Sequence, residues 1–226
     1  MYKFFIILFI VCGLNKSVFA SHYMGGEITW ECLSNGRYRF IMKLYRECAG
    51  INFNSTETLG VANYPGLTSI PMNRVSQTDI SPICNPNPAF PHITCPTANI
   101  PNMGAVEEHI YTSDAAYPAG VQLIGVPPPQ GWIFYHADCC RNPCTNIINA
   151  PTLNWFLRAV MYPYNNQPAN PCYDNSPKFA EVPSSVICTG YPFTYNHNAW
   201  DPDLDSLTFE WGTPLININQ PVVTYA

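Results

Sequence analysis

The run Asp201-Pro202-Asp203-Leu204-Asp205-Ser206 places three carboxylates at alternating positions directly before a β-rich stretch. Hard oxygen donors at that spacing suit Ca2+, which takes about six to eight oxygen ligands. An EF-hand loop would need glycine at its sixth position and glutamate at its twelfth; here those are Ser206 and Gly212. Two readings remain. One is an inter-strand calcium loop of a β-sandwich with Asp201, Asp203 and Asp205 as ligands, and the other is a solvated acidic turn. Leu204 occupies a place where a turn prefers glycine.

Cys139-Cys140-Arg141-Asn142-Pro143-Cys144 is the second concentration of reactive groups. Adjacent cysteines are a poor geometry for two tetrahedral zinc ligands, and no second cluster has metal-ligand spacing. Three residues separate Cys140 from Cys144, so no redox Cys-x-x-Cys is present. Disulfides to distant strands account better for these thiols. The histidines, His22, His92, His109, His136 and His197, are scattered. Glu107-Glu108-His109 falls on a predicted strand and lacks the helical spacing of a zinc peptidase. There is no Gly-x-Ser-x-Gly elbow and no phosphate-cradling glycine loop. Any two acids can meet in a fold, so a glycosidase pair stays open, but no acid stands in a distinctive context. Trp132, Tyr135, Trp155 and Trp200 would line a sugar platform or, as is usual in β-sandwiches, a core. The patterns imply no catalytic residue, and no cofactor beyond a structural Ca2+.

The compartment decides how the thiols are read. Met1 to Ala20 has a basic start at Lys3, an apolar run from Phe4 to Val11, and small-residue positions at Val18 and Ala20, the parts of a secretory signal peptide. That run is about half the ~20 residues needed to span a bilayer, so no membrane span is expected in this chain. Val11 precedes Cys12 where a lipid-modified cysteine would follow a small residue. Removing Lys3 and Lys16 with the leader leaves 8 basic against 15 acidic residues, a balance that repels phosphate backbones and excludes nucleic acid as a partner. Cys32, Cys48, Cys84, Cys95, Cys139, Cys140, Cys144, Cys172 and Cys188 remain. In an exported chain such a set is a disulfide framework, but connectivity cannot be read from spacing, and the odd count leaves one thiol free or paired elsewhere.

The elements that must position these groups are extended. The chain holds 23 prolines, which forbid long helices, and 14 tyrosines among many residues that favour strands. Gly26 to Leu33 and Arg37 to Tyr45 flank Asn35-Gly36, which predicts a hairpin closed by a type I′ turn. Ile28, Trp30 and Cys32 share one face of its first strand; Tyr38, Phe40, Met42 and Leu44 share one face of its second. Further strands are expected at 58–63, 67–74, 106–112, 120–124, 132–137 and 153–162, then near 179, 186–188, 193–196 and 206–211. Ser81 to Pro101 carries six prolines with Cys84 and Cys95, which suggests a Cys84–Cys95 staple on a long loop. Asn165 to Pro171 has linker composition, and the unit after it is short for an independent core. The last residues read as a strand beginning, so further domains of the same polypeptide are expected after Ala226.

Several strings resemble a known family. His22-Tyr23-Met24-Gly25-Gly26-Glu27-Ile28-Thr29-Trp30-Glu31-Cys32, then Leu44-Tyr45-Arg46-Glu47-Cys48, resemble the amino-terminal region of large Bacteroidota surface proteins that carry a gliding-motility-associated carboxy-terminal sorting domain. Cys139-Cys140-Arg141-Asn142 and Ile147-Ile148-Asn149 resemble a Cys-Cys-Arg-Asn segment of the same proteins. Asn175-Ser176-Pro177-Lys178-Phe179, Cys188-Thr189-Gly190-Tyr191-Pro192-Phe193 and Asp201 through Leu207 resemble the start of a cadherin-like or Ig-like repeat, where family members carry glycine in place of Leu204. The resemblance implies a secreted or outer-surface protein exported by the type IX route.

The expected chain is therefore all-β. A signal peptide spans residues 1–20, a disulfide-stapled, antiparallel, sandwich-like domain spans 21–171, and an incomplete Ig- or cadherin-like β-sandwich spans 172–226. The function expected of it is non-enzymatic, in adhesion, a surface layer or gliding, with a surface polysaccharide or another surface protein as partner. The alternative is an accessory β domain of a larger secreted hydrolase.

Overall fold

A computed structural model describes residues 23–83, 87, 89, 93–95, 104–139, 141–163, 172, 174–181, 187, 189–196 and 198–222. The expected signal peptide and His22, Cys84, His92, Cys140, Cys188 and His197 lie outside the described residues.

The hairpin comes first in the chain and in the sheet. β1 (Tyr23–Cys32) pairs antiparallel with β2 (Tyr38–Glu47), with Ile28 opposite Met42 and Trp30 opposite Phe40. The alternation read in the sequence is the alternation observed, since Tyr38, Phe40, Met42 and Leu44 are all buried while Arg39, Ile41 and Lys43 are not. The turn differs from the type I′ expectation. Gly36 N–H donates to Leu33 O and Leu33 N–H to Arg37 O, and only Gly36, at φ 78°, is left-handed. This is a three-residue loop whose glycine takes the bulge position. The Asn35 side chain accepts from the Arg37 N–H at 3.1 Å, which holds Asn35 out of the left-handed region that a type I′ turn demands of it.

Seven further strands extend the sheet or curl it. They are β3 (Thr56–Ala62), β4 (Ser69–Asp79), β5 (Val106–Thr112), β6 (Trp132–Asp138), β7 (Trp155–Met161), β10 (Leu215–Asn217) and β11 (Gln220–Pro221). The order is β1-β2-β5-β4-β3-β6-β7-β10-β11, antiparallel throughout. The strand expected at 153–162 is observed over Trp155–Met161. Residues 120–124 make only an isolated bridge, Val121 with Tyr38, and 193–196 and 206–211 are irregular. No helix among the described residues is long and apolar enough to cross a membrane.

The sheet curls into a half-barrel. The all-β, antiparallel character expected is observed, but in place of sandwich-like packing over 21–171 one sheet, which also takes in β10 and β11, wraps around its own core. Tyr23 at the start of β1 stacks on Trp155 at the start of β7, ring centroids 4.7 Å apart, although the two strands lie at distant places in the strand order. Gly26 permits this closure, because a Cβ there would lie 3.0 Å from the Trp155 ring. Trp30, Phe40, Met42, Leu59, Ile70, Met72, Phe134 and Met161 fill the concave face. Each such side chain contributes roughly 1.5–3 kcal/mol by leaving water.

Of residues 172–226, Leu215–Asn217 pairs with β7 through Leu215 opposite Phe156, so it belongs to the large sheet. β8 (Lys178–Phe179) and β9 (Ala199–Trp200) form a separate two-stranded ribbon. The ribbon's approach covers the free edge of β1. Ser176 exchanges bonds with the backbone of Trp30, its Oγ accepting at 2.8 Å and its N–H donating at 3.1 Å. Lys178 Nζ meets Glu31 Oε1 at 2.5 Å.

Two disulfides lie wholly within the described residues, Cys32–Cys172 and Cys48–Cys95. The second corrects the Cys84–Cys95 staple. Asp79, at the end of β4, accepts from the Cys95 N–H at 2.8 Å and so draws the loop back over the sheet to Cys48 at the end of β2. Nearness in sequence to Cys84 yields to that tether. Cys139 is also disulfide-bonded, and Cys144 is a free, exposed thiol.

Cys32–Cys172 closes a separation of 140 residues. Bridges over long loops remove the most entropy from the unfolded chain, so the C32A/C172A double variant should lose about 3 kcal/mol in urea unfolding. An unchanged midpoint would mean that this crosslink does not constrain the protein.

Candidate functional site: the polar end of the curled sheet and the Asp201 loop

One end of the concave face is polar. Alternation along β2 carries the inward series Tyr38, Phe40, Met42 and Leu44 on to Arg46, and pairing sets Arg46 opposite Glu107 on β5. On β4, Gln77 lies opposite His109 and Arg74 opposite Tyr111. On β6 the inward series Trp132, Phe134 runs on to His136 and Asp138. The run Glu107-Glu108-His109 and the isolated His136 were visible in the sequence. Period-two alternation places Glu107 and His109 on one face of β5 and His136 with the inward series of β6, but does not bring the two strands together.

Two networks form there. In the first, Arg46, its side chain 3% exposed, gives Nε and Nη2 to Glu107 Oε2 at 3.2 and 2.5 Å, and Nη1 to the carbonyls of Cys48 and Gly50. Gln77 Nε2 donates to Glu107 Oε1 at 3.2 Å. His109 Nε2 lies 3.1 Å from Glu107 Oε2, and its Nδ1 lies 3.1 Å from Arg74 Nη1. A guanidinium only donates, so Nδ1 accepts and the ring hydrogen sits on Nε2. Burial holds His109 below its ordinary pKa, with the nearby guanidinium charges adding to it against the pull of Glu107. Burial pushes Glu107 up, but bonds from Arg46 and His109, the Arg46 charge and Gln77 outweigh it and leave the carboxyl below its ordinary range.

In the second network the Tyr23 hydroxyl donates to Asp138 Oδ2 at 2.8 Å and lies 3.3 Å from His136 Nε2. His136 Nδ1 donates to the Thr58 carbonyl at 3.3 Å. Burial, then the bond and charge of Asp138, push the Tyr23 phenol far up. Glu57, on β3, is raised by burial, against His136 and a bond from Asn54. Phe53 sits between the two networks, edge-on to His109 at 5.1 Å and stacked on Tyr23 at 4.3 Å. Nearly every polar group here is spent on a neighbour, as buried polar atoms must be. The arrangement braces the end of the sheet.

The aromatic residues divide. Trp132 and Trp155 are core, Tyr135 stacks on Phe156, and half-exposed Trp200 carries Lys178 Nζ 5.8 Å above its ring.

The acidic run forms a loop folded on its own first residue. Asp201 is buried, and its Oδ1 accepts from the N–H groups of Asp203 and Asp205 at 2.7 and 3.4 Å. Leu204 is left-handed at φ 66° with its side chain in water, so the chain does adopt the conformation that glycine takes most easily. Asp203 accepts from Asn175 twice over, from its N–H at 2.7 Å and from its side-chain amide at 3.0 Å. Asn175 in turn accepts from the Cys32 N–H at 2.7 Å, which ties the loop to the edge of β1. A fourth carboxylate, Asp174, joins the three. Burial, then the charges of Asp203, Asp201 and Asp205 and a bond with Asp203, push it up to about 7. No pattern in the sequence pointed to Asp174, which is 27 positions upstream of Asp201. The donor set is all oxygen, as a hard cation requires.

Arg141 of the Cys-Cys-Arg-Asn run is a clamp. Its guanidinium donates to the carbonyls of Asn154 and Leu215, its N–H reaches Leu153 O, and it bridges to Tyr23. The Cys48 and Cys95 sulfurs and the Glu107 carboxylate lie within 4.8 Å of one another, but the sulfurs are joined and Glu107 is held by Arg46 and His109, which leaves no ligand set for a metal. No family model, curated protein or solved structure matches this chain.

Asp174 gives a signed pH effect. Its folded pKa lies above its ordinary 3.8, so the folded protein holds the extra proton between about pH 4 and 7, and stability falls as pH rises through that window. In buffer containing EDTA, D174N should raise the melting temperature at pH 8, with the gain fading towards pH 5. A gain equal at both pH values would remove the crowding of carboxylates as its cause.

Proposed function

We propose that this chain is a non-enzymatic segment of an exported or cell-surface protein, acting in adhesion, a surface layer or gliding. The observation that supports it is crosslinking, with Cys32–Cys172, Cys48–Cys95 and a bonded Cys139 in one sheet protein, since disulfides persist outside the reducing cytoplasm. The polar end agrees with this reading, because Arg46, Glu107, His109, Tyr23 and Asp138 satisfy one another instead of opening towards a substrate. The β8–β9 ribbon is, in the same proposal, part of an Ig- or cadherin-like β unit, while Leu215 to Pro221 stays with the large sheet, and the family resemblance would place export on the type IX route. A surface polysaccharide or another surface protein is the partner class. An antibody against the β1–β2 hairpin should label intact cells or recover the protein from the medium; antigen found only after lysis would overturn the proposal. The reading as an accessory domain of a secreted hydrolase predicts the same location and separates by purification, where glycan hydrolysis copurifying with the full-length native polypeptide would favour it.

A structural Ca2+ held by Asp201, Asp203 and Asp205, with Asp174 beside them, belongs to this reading. Ca2+ would relieve the carboxylate repulsion that raises Asp174. A ligand that binds only the folded state adds RT ln(1 + [L]/Kd), so millimolar Ca2+ should raise the melting temperature of the wild type and leave that of D201N/D205N unchanged. An identical melting temperature of wild type with and without Ca2+ would reduce the run to an acidic turn.

A further inference from the structure

His109 is fully buried with both ring nitrogens committed, Nε2–H to Glu107 and the Nδ1 lone pair to Arg74. The same Arg74 Nη1 donates to the Phe53 carbonyl at 3.3 Å. The Arg74 N–H holds Ser55 O, and the Tyr111 hydroxyl holds Asn54 O. Within 51–55 only Phe53 is buried; Ile51, Asn52, Asn54 and Ser55 are exposed and outside the sheet ladder. The segment's backbone therefore hangs on one aromatic anchor and three bonds to its carbonyls, two of them from Arg74, with the Asn54 side chain reaching only to nearby Glu57.

We propose that His109 is an acid-sensitive latch: taking a second proton, it drives Arg74 off and releases the Phe53 segment from the polar end of the sheet. The surroundings decide the direction. β2 presents Arg46, β5 presents Glu107 and Tyr111, β4 presents Arg74 and Gln77, and the 51–55 segment presents no titrating side chain. Asp79 is engaged by Ser81 and the Cys95 N–H, and Glu57 by Asn54. A proton on Nδ1 sets donor against donor and charge against charge at a spacing of 3.1 Å. Among the described residues Glu107 is the one carboxylate hydrogen-bonded to the ring, and it already serves Arg46, so it cannot neutralise three cations. Arg46 is locked by Glu107 and two carbonyls, whereas Arg74 is only partly buried and has water to move into. Its departure costs the Phe53 carbonyl its donor. Phe53 then leaves the stack on Tyr23, and the aromatic and polar surface beneath it opens.

The test labels the full chain with 4-fluorophenylalanine and follows 19F spectra from pH 7.5 to 4.5, with the Phe53 resonance assigned through F53L. The Phe53 signal should move from a buried to a solvent-averaged position while Phe40 and Phe134 stay fixed, the released population rising about tenfold per pH unit at first, as one linked proton requires. H109Q, whose amide keeps one acceptor and one donor but cannot titrate, should abolish the movement. Three results overturn the latch: a Phe53 signal fixed over the whole range, an equal movement in H109Q, or movement only together with Phe40 and Phe134. Should H109Q not fold, the wild-type His109 imidazole titration decides, since its midpoint must coincide with that of Phe53 and a different midpoint refutes the proposal.

Discussion

Arg46 and Glu107 are charged groups withdrawn from water on the concave face of a sheet, and a buried ion costs several kcal/mol unless its neighbours solvate it in turn. That requirement organises one end of the molecule. Gln77 and His109 complete the carboxylate, the carbonyls of Cys48 and Gly50 complete the guanidinium, and the chain after β2 must turn where those carbonyls are needed. The turn sets Cys48 where Cys95 can reach it. Polar satisfaction, loop path and crosslink position are one constraint seen three times.

The apolar remainder of the concave face obeys the simpler rule of burial. Trp30, Phe40 and Phe134 meet at tilted angles, with centroids 4.6 to 6.4 Å apart, and need only shape from one another. Because one sheet supplies both walls of this core, curvature replaces the second layer of a sandwich. Tyr23 and Trp155 mark where the walls meet, and Arg141 and Asn175 secure the seam from outside the ladder.

Much of the sheet was legible because a strand with one wet face advertises itself. Tyr38, Phe40, Met42 and Leu44 alternate so strictly that β2 could be read residue by residue, and 106–112 was read to its exact bounds. The turn at Asn35 was misread because two turn types share the Asn-Gly signal and differ in loop length and in whether Asn35 goes left-handed with Gly36. Short pairings such as Leu215 with Phe156 had no local signal at all, being chosen by Arg141 and a neighbouring edge. The polar end shows a third case. His109 and His136 were noticed as residue types, but their meeting depends on a strand order of β2-β5-β4-β3-β6, which no local pattern encodes. Asp174 joined Asp201, Asp203 and Asp205 for the same reason, across a fold that brings the start of one segment against the turn of another.

The strand order also sets a timetable. β1 finds β2 at once, but its other flank waits for Trp155, for Cys172 and for Ser176, all well over a hundred residues later. Contacts of such long range pay loop-closure entropy before they return anything, which slows folding. An emerging chain would therefore hold an early hairpin and a loose remainder until Ser176 had appeared. Until Cys172 and Ser176 arrive, the hairpin stands with one edge unpaired, so the late pairings and the crosslink close the molecule together.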